Sequence, residues 1–476
     1  MTDDSPSRAA RPTRRAALAG AGACAAALAA SRAYAASASF APTAATLDLK
    51  PGAPTPGAIS FGAGPGPAIL RAKPGEELTI DLAAPDDAPL SLHWQGVRIV
   101  NAADGAAPLT GPAIAARGRA TIRFAPPDPG FYCGRPFGRQ AGAQLARGLY
   151  LPLIVAEPTP PDVDHDVPVC IGDARLGPNG ALAVEPFDPL GAGRIGDIVT
   201  VNAAAAPLRL TARPNSRLRL RLLNAAAARL LIAAVEGANV RVIAIDGQPC
   251  DPFAPVRQMV PVGPGARFEL LLDLPAEPGE ARLILRGAAP PDAPPAPDLD
   301  AVVIRIEGAP RPARPDFGGL GLNPALPPAV QLQNARRADL VIDGGRAIDP
   351  ELAQALAMGH QVGTTTSPGR PWRLSGPSGA IKPDKPLFSI RRGTPVSLGF
   401  VNNTAFPQTT HVHGHVMRLL HPLDDGWEPY WRDAVITPAG KTSRIAFVAD
   451  NPGRWMIANA DPDRAAAGLA TWFEVT

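Results

Sequence analysis

The 476-residue chain has few cysteines, few aromatic residues and almost no net charge, and each shortage excludes a class of protein. Four cysteines are too few for disulfides to be the main source of stability. A formal net charge of +3, without a basic run interleaved with aromatic residues, gives no support for nucleic-acid binding. After the first 35 residues, no apolar stretch reaches the roughly 20 residues that a transmembrane helix needs. The sequence also lacks the G-x-S-x-G, H-E-x-x-H, P-loop and dinucleotide-binding fingerprints.

Proline and glycine are abundant instead, and they favour an all-β fold. The 58 prolines and 47 glycines are spread between short apolar runs, which is typical of strands joined by many turns. A chain of this length predicts two to three domains. Composition and turns divide it into β units at 41–157, 162–308 and 338–476, with a linker at 309–337. A short helix is predicted to begin the segment Ala355–Thr366.

The first 35 residues have the pattern of an export signal. The pair Arg14 and Arg15 precedes the apolar stretch Ala16–Ala30, and Ala33-Tyr34-Ala35 is a small-x-small cleavage site. The paired arginines indicate the twin-arginine route, so we expect a folded periplasmic protein.

Cleavage after Ala35 would remove Cys24 and leave an odd number of cysteines. Cys133, Cys170 and Cys250 remain, which permits at most one intramolecular disulfide. Whether Cys170 pairs with Cys250 is left open by the sequence.

Three of the seven histidines lie within five residues of one another. His411 and His413 are two residues apart, so their side chains lie on the same face if the segment is a strand, and His415 continues that face. Clustered imidazoles are a natural site for copper or zinc.

The segment from Asn402 to Leu469 resembles the last domain of multicopper oxidases. It contains H-V-H-G-H, then W-R-D, then A-D-N-P-G-R-W, at the spacing of that family. Leu92-His93-Trp94-Gln95-Gly96 resembles the family's H-W-H-G, and Pro129–Arg135 resembles a shortened G-x-x-W-Y-H-x-H. The resemblance implies three tandem cupredoxin-like Greek-key β-sandwich or barrel domains.

The resemblance also assigns the copper positions, and most of them hold other residues. At the type 1 copper it places Gln408, Asn459 and Arg464 for the three ligands and Leu469 at the axial position. Of the eight trinuclear-cluster histidines it retains His93, His411 and His413. The other five positions hold Gln95, Cys133, Arg135, Ala458 and Ala460. His93 and His411 fall on the type 2 copper positions, with His413 beside them and Cys133 able to approach.

These assignments lead to two main hypotheses of function. The first is a non-catalytic periplasmic binding or scaffolding protein, monomeric, with an unknown protein partner, in which the imidazoles are hydrogen-bonding groups between domains. The second is a mononuclear copper or zinc protein with His93, His411 and His413 as ligands. A third, residual oxidase activity with relocated ligands, has no candidate residues. We therefore expect either no metal or a single ion rather than four coppers.

Overall fold

A computed structural model describes residue 34 and the ranges 36–50, 52–62, 66–185, 187–287, 297–346, 369–421 and 426–476. Apart from Tyr34, the predicted signal peptide lies outside these residues, and so does the predicted helix in Ala355–Thr366. The described part of the chain is built almost entirely from strands, which confirms the all-β prediction. None of its helices is both long and apolar enough to cross a lipid bilayer.

The first block contains a three-stranded sheet, a four-stranded sheet and a two-stranded hairpin. Its sheets run in the order β1-β5-β7, β2-β3 and β4-β9-β8-β6, so neighbours are often distant in sequence. The strands are β1 (Ser37–Phe40), β2 (Thr43–Lys50), β3 (Ala53–Ser60), β4 (Leu70–Ala72), β5 (Leu78–Ala83), β6 (Leu92–Gln95), β7 (Arg119–Phe124), β8 (Gly130–Pro136) and β9 (Leu151–Val155). A 3₁₀ turn (Asn101–Ala103) and helix α1 (Ala141–Ala146) lie in the connections.

The second block is a sandwich of a seven-stranded and a five-stranded sheet. The sheet orders are β12-β11-β10-β14-β19-β16-β17 and β13-β21-β20-β15-β18. Its strands are β10 (His165–Ala174), β11 (Ile198–Val201), β12 (Ala204–Ala205), β13 (Leu208–Ala212), β14 (Arg217–Asn224), β15 (Leu231–Glu236), β16 (Asn239–Ile245), β17 (Gln248–Phe253), β18 (Met259–Val262), β19 (Arg267–Asp273), β20 (Gly279–Leu285) and β21 (Leu299–Ile306). A 3₁₀ turn covers Val256–Gln258.

The third block is also a two-sheet sandwich. The sheet orders are β24-β23-β22-β26-β30-β28 and β25-β32-β31-β27-β29. Its strands are β22 (Arg336–Arg346), β23 (Gly369–Gly376), β24 (Gly379–Ala380), β25 (Ser389–Ile390), β26 (Thr394–Asn402), β27 (Gln408–Val412), β28 (Arg418–Leu419), β29 (Ala434–Thr437), β30 (Thr442–Ala449), β31 (Gly453–Asn459) and β32 (Ala470–Val475). Helix α2 (Pro462–Ala466) follows β31 and is capped by Asp461.

Strand β14 alternates arginine with leucine from Arg217 to Leu222, and both of its faces are buried. Leu218, Leu220 and Leu222 point into the core of the second block, as period-2 geometry requires. The alternate arginines are buried as well, and Arg219 and Arg221 share the carboxylates of Glu157, Asp166 and Glu269. The polar face is therefore an internal ion-pair layer, because a buried charge needs a partner.

The apolar core shows which blocks touch. One continuous cluster of buried residues contains Trp94 of the first block and Trp455 of the third, so these blocks pack directly together. A smaller cluster, which includes Tyr150 and Leu223, joins the first block to the second. The strands β6 and β27 thereby meet across the contact between the first and third blocks.

Candidate metal centre

Three imidazoles converge where the first and third blocks meet. His93 lies on β6, His411 lies on β27, and His413 follows the end of β27. The Nε2 atoms of His93 and His411 are 2.9 Å apart, and the rings of His93 and His413 stack with centroids 3.6 Å apart. One ring nitrogen of each lies within 4.8 Å of the others. The sequence prediction that these three residues share a cleft agrees with this geometry; we call them the histidine triad.

The other ring nitrogen of each histidine faces a hydrogen-bond acceptor. His93 Nδ1 lies 3.1 Å from the carbonyl oxygen and 3.0 Å from Oδ1 of Asp104, and His413 Nδ1 lies 3.0 Å from the second carboxylate oxygen of Asp104. His411 Nδ1 lies 2.8 Å from the carbonyl oxygen of Asp433 and 3.1 Å from its carboxylate. Because these neighbours only accept, each Nδ1 must donate, and a neutral ring then has no proton on Nε2.

The positions of these ring nitrogens show how the residues fit a metal ion. With a proton on each Nδ1 and none on either Nε2, the 2.9 Å contact joins two Nε2 lone pairs of His93 and His411, which repel unless the two nitrogens share a proton or a metal ion. In metal sites the ligating imidazoles usually point Nε2 at a common position and donate Nδ1–H to carboxylates or carbonyls, which form the second layer of the site. Since bonds to nitrogen are about 2.0–2.1 Å, one ion spans nitrogens up to about 4 Å apart. The 2.9 Å between the Nε2 atoms of His93 and His411 is within that limit, and three imidazoles are donors of the type that copper and zinc bind.

The protonation states of the buried groups agree with this fit. Burial, followed by the neighbouring His93, lowers the pKa of His413 to about 3, with Asp104 opposing the shift, so the ring is neutral near pH 7. Burial alone would raise the pKa of Asp104, but the attraction of His413 and His93 holds that pKa well below its ordinary value. Metal binding needs neutral imidazoles and ionised carboxylates around them.

Asp433 is fixed in turn by the second block. Arg267 donates to both carboxylate oxygens of Asp433, and both side chains are fully buried. The backbone nitrogen of Asp433 donates to Asp246 at 3.1 Å. Burial would raise the pKa of Asp433, and Arg267 followed by His411 holds that pKa below its ordinary value. The orientation of His411 thus depends on residues of the second and third blocks.

A cavity of about 190 Å³ opens beside the triad. Strand pairing explains its position, because Arg135 lies directly opposite His93 in β6–β8 and Ala458 lies directly opposite His411 in β27–β31. None of the residues that line it is acidic. They are His93, Gln95, Ala107, Arg135, Pro136, Phe137, Gly138, Arg139, His411, His413, Met456, Ala458, Asn459, Ala460, Pro462, Ala465, Ala466 and Ala470.

Gln95 and Arg135 form part of the cavity wall and connect the blocks. Arg135 Nη1 donates to Gln95 Oε1 at 3.3 Å and to the carbonyl of Ala460 at 3.2 Å, and Nη2 donates to the carbonyl of Ala226 at 3.2 Å. Gln95 Nε2 donates to Asp433 at 3.3 Å. These two side chains therefore act as donors beside the triad, and the guanidinium adds a fixed positive charge.

Gln408, Asn459 and Arg464 form a separate buried group, here called the amide–arginine cluster. Gln408 Oε1 accepts from Asn459 at 2.7 Å and from Arg464 at 3.0 Å, while Gln408 Nε2 donates to Thr404 at 2.9 Å. The guanidinium of Arg464 also lies 4.8 Å from the ring centre of Trp372. Both polar atoms of the Gln408 amide thus have protein partners.

Two expectations for neighbouring residues were wrong. His415 does not continue the face of His411 and His413, because β27 ends at Val412 and Gly414 turns the chain with φ of +66°. His415 packs among aromatic rings, including that of Trp455. Cys133 does not approach the cavity but packs in the apolar cluster between the first and second blocks, where burial raises the pKa of its thiol to about 11.

The structure also answers the question of cysteine pairing that the sequence left open. The three cysteines of the described chain, Cys133, Cys170 and Cys250, are buried free thiols, so Cys170 and Cys250 do not pair.

The sequence did not indicate a role for Asp104 or Asp433. Asp433 had a signal in the W-R-D motif, whereas nothing around Asp104 marked it.

Comparison with known proteins agrees with the motifs. Three family models, each described as multicopper oxidase, match residues 46–160, 181–281 and 349–476. The chain is 28% identical to the multicopper oxidase MmcO of Mycobacterium tuberculosis over 90% of this chain and 85% of that protein. It is 25% identical to Laccase-1 of Fomitopsis schrenkii over 88% of this chain and 83% of that protein.

Solved structures show the same fold. The crystal structure of a multi-copper oxidase from Pseudomonas thermotolerans has a TM-score of 0.74 and 24% identity, with 93% of this chain and 100% of that chain covered. Lac15 from a marine microbial metagenome has a TM-score of 0.70 and 28% identity, with 92% and 99% covered. The three matched segments, the full-length relatives and the shared three-domain cupredoxin-like fold lead to one conclusion: the chain belongs to the multicopper oxidase family.

Proposed function

We propose that this protein is an exported member of the family that binds one Cu(II) or Zn(II) ion at the histidine triad and does not carry out four-copper oxygen reduction. The observation that carries the proposal is the 2.9 Å contact between Nε2 of His93 and Nε2 of His411, each ring having its Nδ1 committed to an acceptor. The arginine pair and cleavage pattern of the first 35 residues support export to the periplasm.

The chain's own residues would define this site. Asp104 orients His93 and His413, and Asp433 orients His411, so the three Nε2 atoms are preorganised. Three protein ligands would leave room for one exogenous ligand, as in zinc sites that keep one position open, and the same three histidines line the cavity. A bound ion would supply Lewis acidity there, and copper would also supply one-electron chemistry.

The side chains near the triad support a single ion rather than a cluster. Ala458 and Ala460 offer no ligand atom, and Arg135 places a permanent positive charge beside the cavity. In the amide–arginine cluster the thiolate and imidazoles that a type 1 copper needs are absent, and the guanidinium of Arg464 would repel a cation. We infer that the electron-entry site of a laccase is not formed.

Metal analysis of the mature protein tests the proposal. The chain is expressed with its leader, recovered from the periplasmic fraction with copper or zinc supplied, and compared with the His93→Ala/His411→Ala double variant. We expect about one ion per chain in the wild type and a loss of at least about tenfold in the variant. Recovery of a chain that begins after Ala35 tests export in the same preparation.

A matched control is His165→Ala, since His165 lies on β10 in the second block, away from the triad. It should keep the wild-type metal content. Absence of metal from the folded wild type would overturn the proposal and leave the non-catalytic binding or scaffolding function, with the imidazoles as hydrogen-bonding groups between domains. An intense blue colour would instead indicate a thiolate-bound copper.

A further inference from the structure

Arg135 is a buried cation whose hydrogen-bond partners are all neutral. Its side chain is almost completely buried, and it donates to the Gln95 amide and to the carbonyls of Ala226 and Ala460. Its Nε has no hydrogen-bond partner among the described residues, and no carboxylate there accepts a hydrogen bond from its other nitrogens. A buried charge without a counter-ion is costly, so this guanidinium is a ready partner for an anion.

The pKa of Arg135 agrees with a buried guanidinium that lacks a counter-ion. Burial lowers the pKa of Arg135 to about 10, with Cys133 and Asp461 opposing the shift only in part. The group stays protonated near pH 7, and an anion would restore the interaction that burial has removed.

The cavity beside Arg135 has the shape and polarity for a small organic anion. It borders the histidine triad on one side, while its other walls include Phe137, Met456 and several alanines. Arg139 lies on the exposed rim, so positive charge also stands at the entrance. A volume of about 190 Å³ corresponds to roughly six water molecules of liquid, which suits an acid of about four to six non-hydrogen atoms.

We propose that this cavity binds a small organic monocarboxylate, with its carboxylate on Arg135 beside the histidine triad and its short apolar chain against Phe137 and Met456. A bare inorganic anion would leave the apolar walls without contacts, whereas a hydrocarbon tail covers them. Binding to Arg135 needs no metal. Only the expected tightening by a metal ion, through its open position, rests on the proposed function.

Binding of butyrate to metal-free protein tests the inference. The protein is treated with a chelator, and butyrate, its neutral analogue butyramide and sulfate are titrated by calorimetry or ligand-observed NMR. We expect butyrate to bind at least about tenfold more tightly than butyramide, because a charge-assisted pair is lost with the amide. Arg135→Gln should weaken butyrate about tenfold to hundredfold, and Arg135→Lys should weaken it less.

A second pair of variants covers the case in which Arg135→Gln does not fold. Ala465→Leu fills the cavity from helix α2, whereas Ala467→Leu is exposed just after the same helix and does not line the cavity. The first should weaken butyrate at least about tenfold, and the second should leave its affinity unchanged.

Three results would overturn the inference: equal binding of butyrate and butyramide, sulfate binding as tightly as butyrate, or no butyrate binding by the folded wild type at millimolar concentration. Zinc loading keeps the two proposals separate. A protein that binds no zinc overturns the metal site alone, while butyrate binding by the metal-free protein supports the carboxylate site alone.

Discussion

The histidine triad and the amide–arginine cluster lie on opposite sides of the same pair of strands. Gln408 and His411 are three residues apart on β27, and Ala458 and Asn459 are adjacent on β31, so alternation directs them to opposite faces. In the cluster, donors meet acceptors, and both polar atoms of the Gln408 amide are satisfied by protein groups. In the triad, two acceptors meet at 2.9 Å.

The difference between the triad and the cluster shows which buried polar groups need a partner from outside the protein. A group of amides and a guanidinium can pair internally, because each amide carries both a donor and an acceptor. Neutral imidazoles whose Nδ1–H groups are all directed at acidic residues present only lone pairs to one another. The comparison therefore predicts that changes at the triad affect metal content, whereas changes in the cluster affect only stability.

The largest effect is expected when the support of His411 is removed. Asp433→Ala leaves the fully buried Arg267 without its main partner and removes the acceptor carboxylate of His411 Nδ1. We expect the free energy of unfolding to fall by about 3–5 kcal/mol, as for other broken buried pairs. Metal affinity should fall about 10–100-fold with the loss of this second-layer group. Denaturant unfolding and metal titration measure the two effects.

The control for this prediction is Asp450→Ala. Asp450 is partly exposed and lies 3.5 Å from Arg98, so its removal should change stability by less than about 1 kcal/mol. Equal effects of the two variants on stability and on metal affinity would contradict the role of Asp433 in pairing with Arg267 and supporting His411.

A smaller, pH-dependent effect is expected at Asp461, beside the amide–arginine cluster. Burial raises the pKa of Asp461 from 3.8 to about 6, with Arg464 opposing and Asp463 adding to the shift. The folded protein therefore holds this proton more tightly than the unfolded chain does, so stability present below about pH 4 is lost as pH rises through 6. That loss amounts to roughly 2–3 kcal/mol.

Asp461→Asn isolates this contribution, because asparagine also caps a helix and does not ionise. Unfolding measured at several pH values from 4 to 7 should show a shallower decline in the variant than in the wild type. Parallel curves would contradict the assignment of the titration to Asp461.

The smallest effect is expected for Arg464→Met. The variant loses the 3.4 Å ion pair with Asp461 and three donated hydrogen bonds, to Gln408 and to the carbonyls of Pro407 and Gly191, but it also removes a buried charge. These effects oppose each other, so we expect a change within about 2 kcal/mol. Metal content should equal that of the wild type, and a loss of metal would break the proposed independence of the two sites.

Much of the fold was available from local patterns. The apolar run in Arg267–Asp273 lies between Gly263-Pro264-Gly265 and Pro275, and it forms a strand over those seven residues, as such a run between turn residues favours. Local alternation does not give the exact ends of every strand: the alternating run begins at Leu90, whereas the strand begins at Leu92. Strand ends depend on partners that a local pattern does not contain.

The sequence by itself determined the strand-rich architecture and the identity of the triad, since the motifs around His93, His411 and His413 carry family spacing. Only the tertiary structure decided what surrounds them. It placed Asp104 between two rings and turned His415 away at Gly414, where a Cβ atom would lie 2.3 Å from Trp455. Alternation fixes the face of a residue within its own strand. Contacts between residues more than 300 positions apart, as between His93 and His411, depend on how the blocks pack.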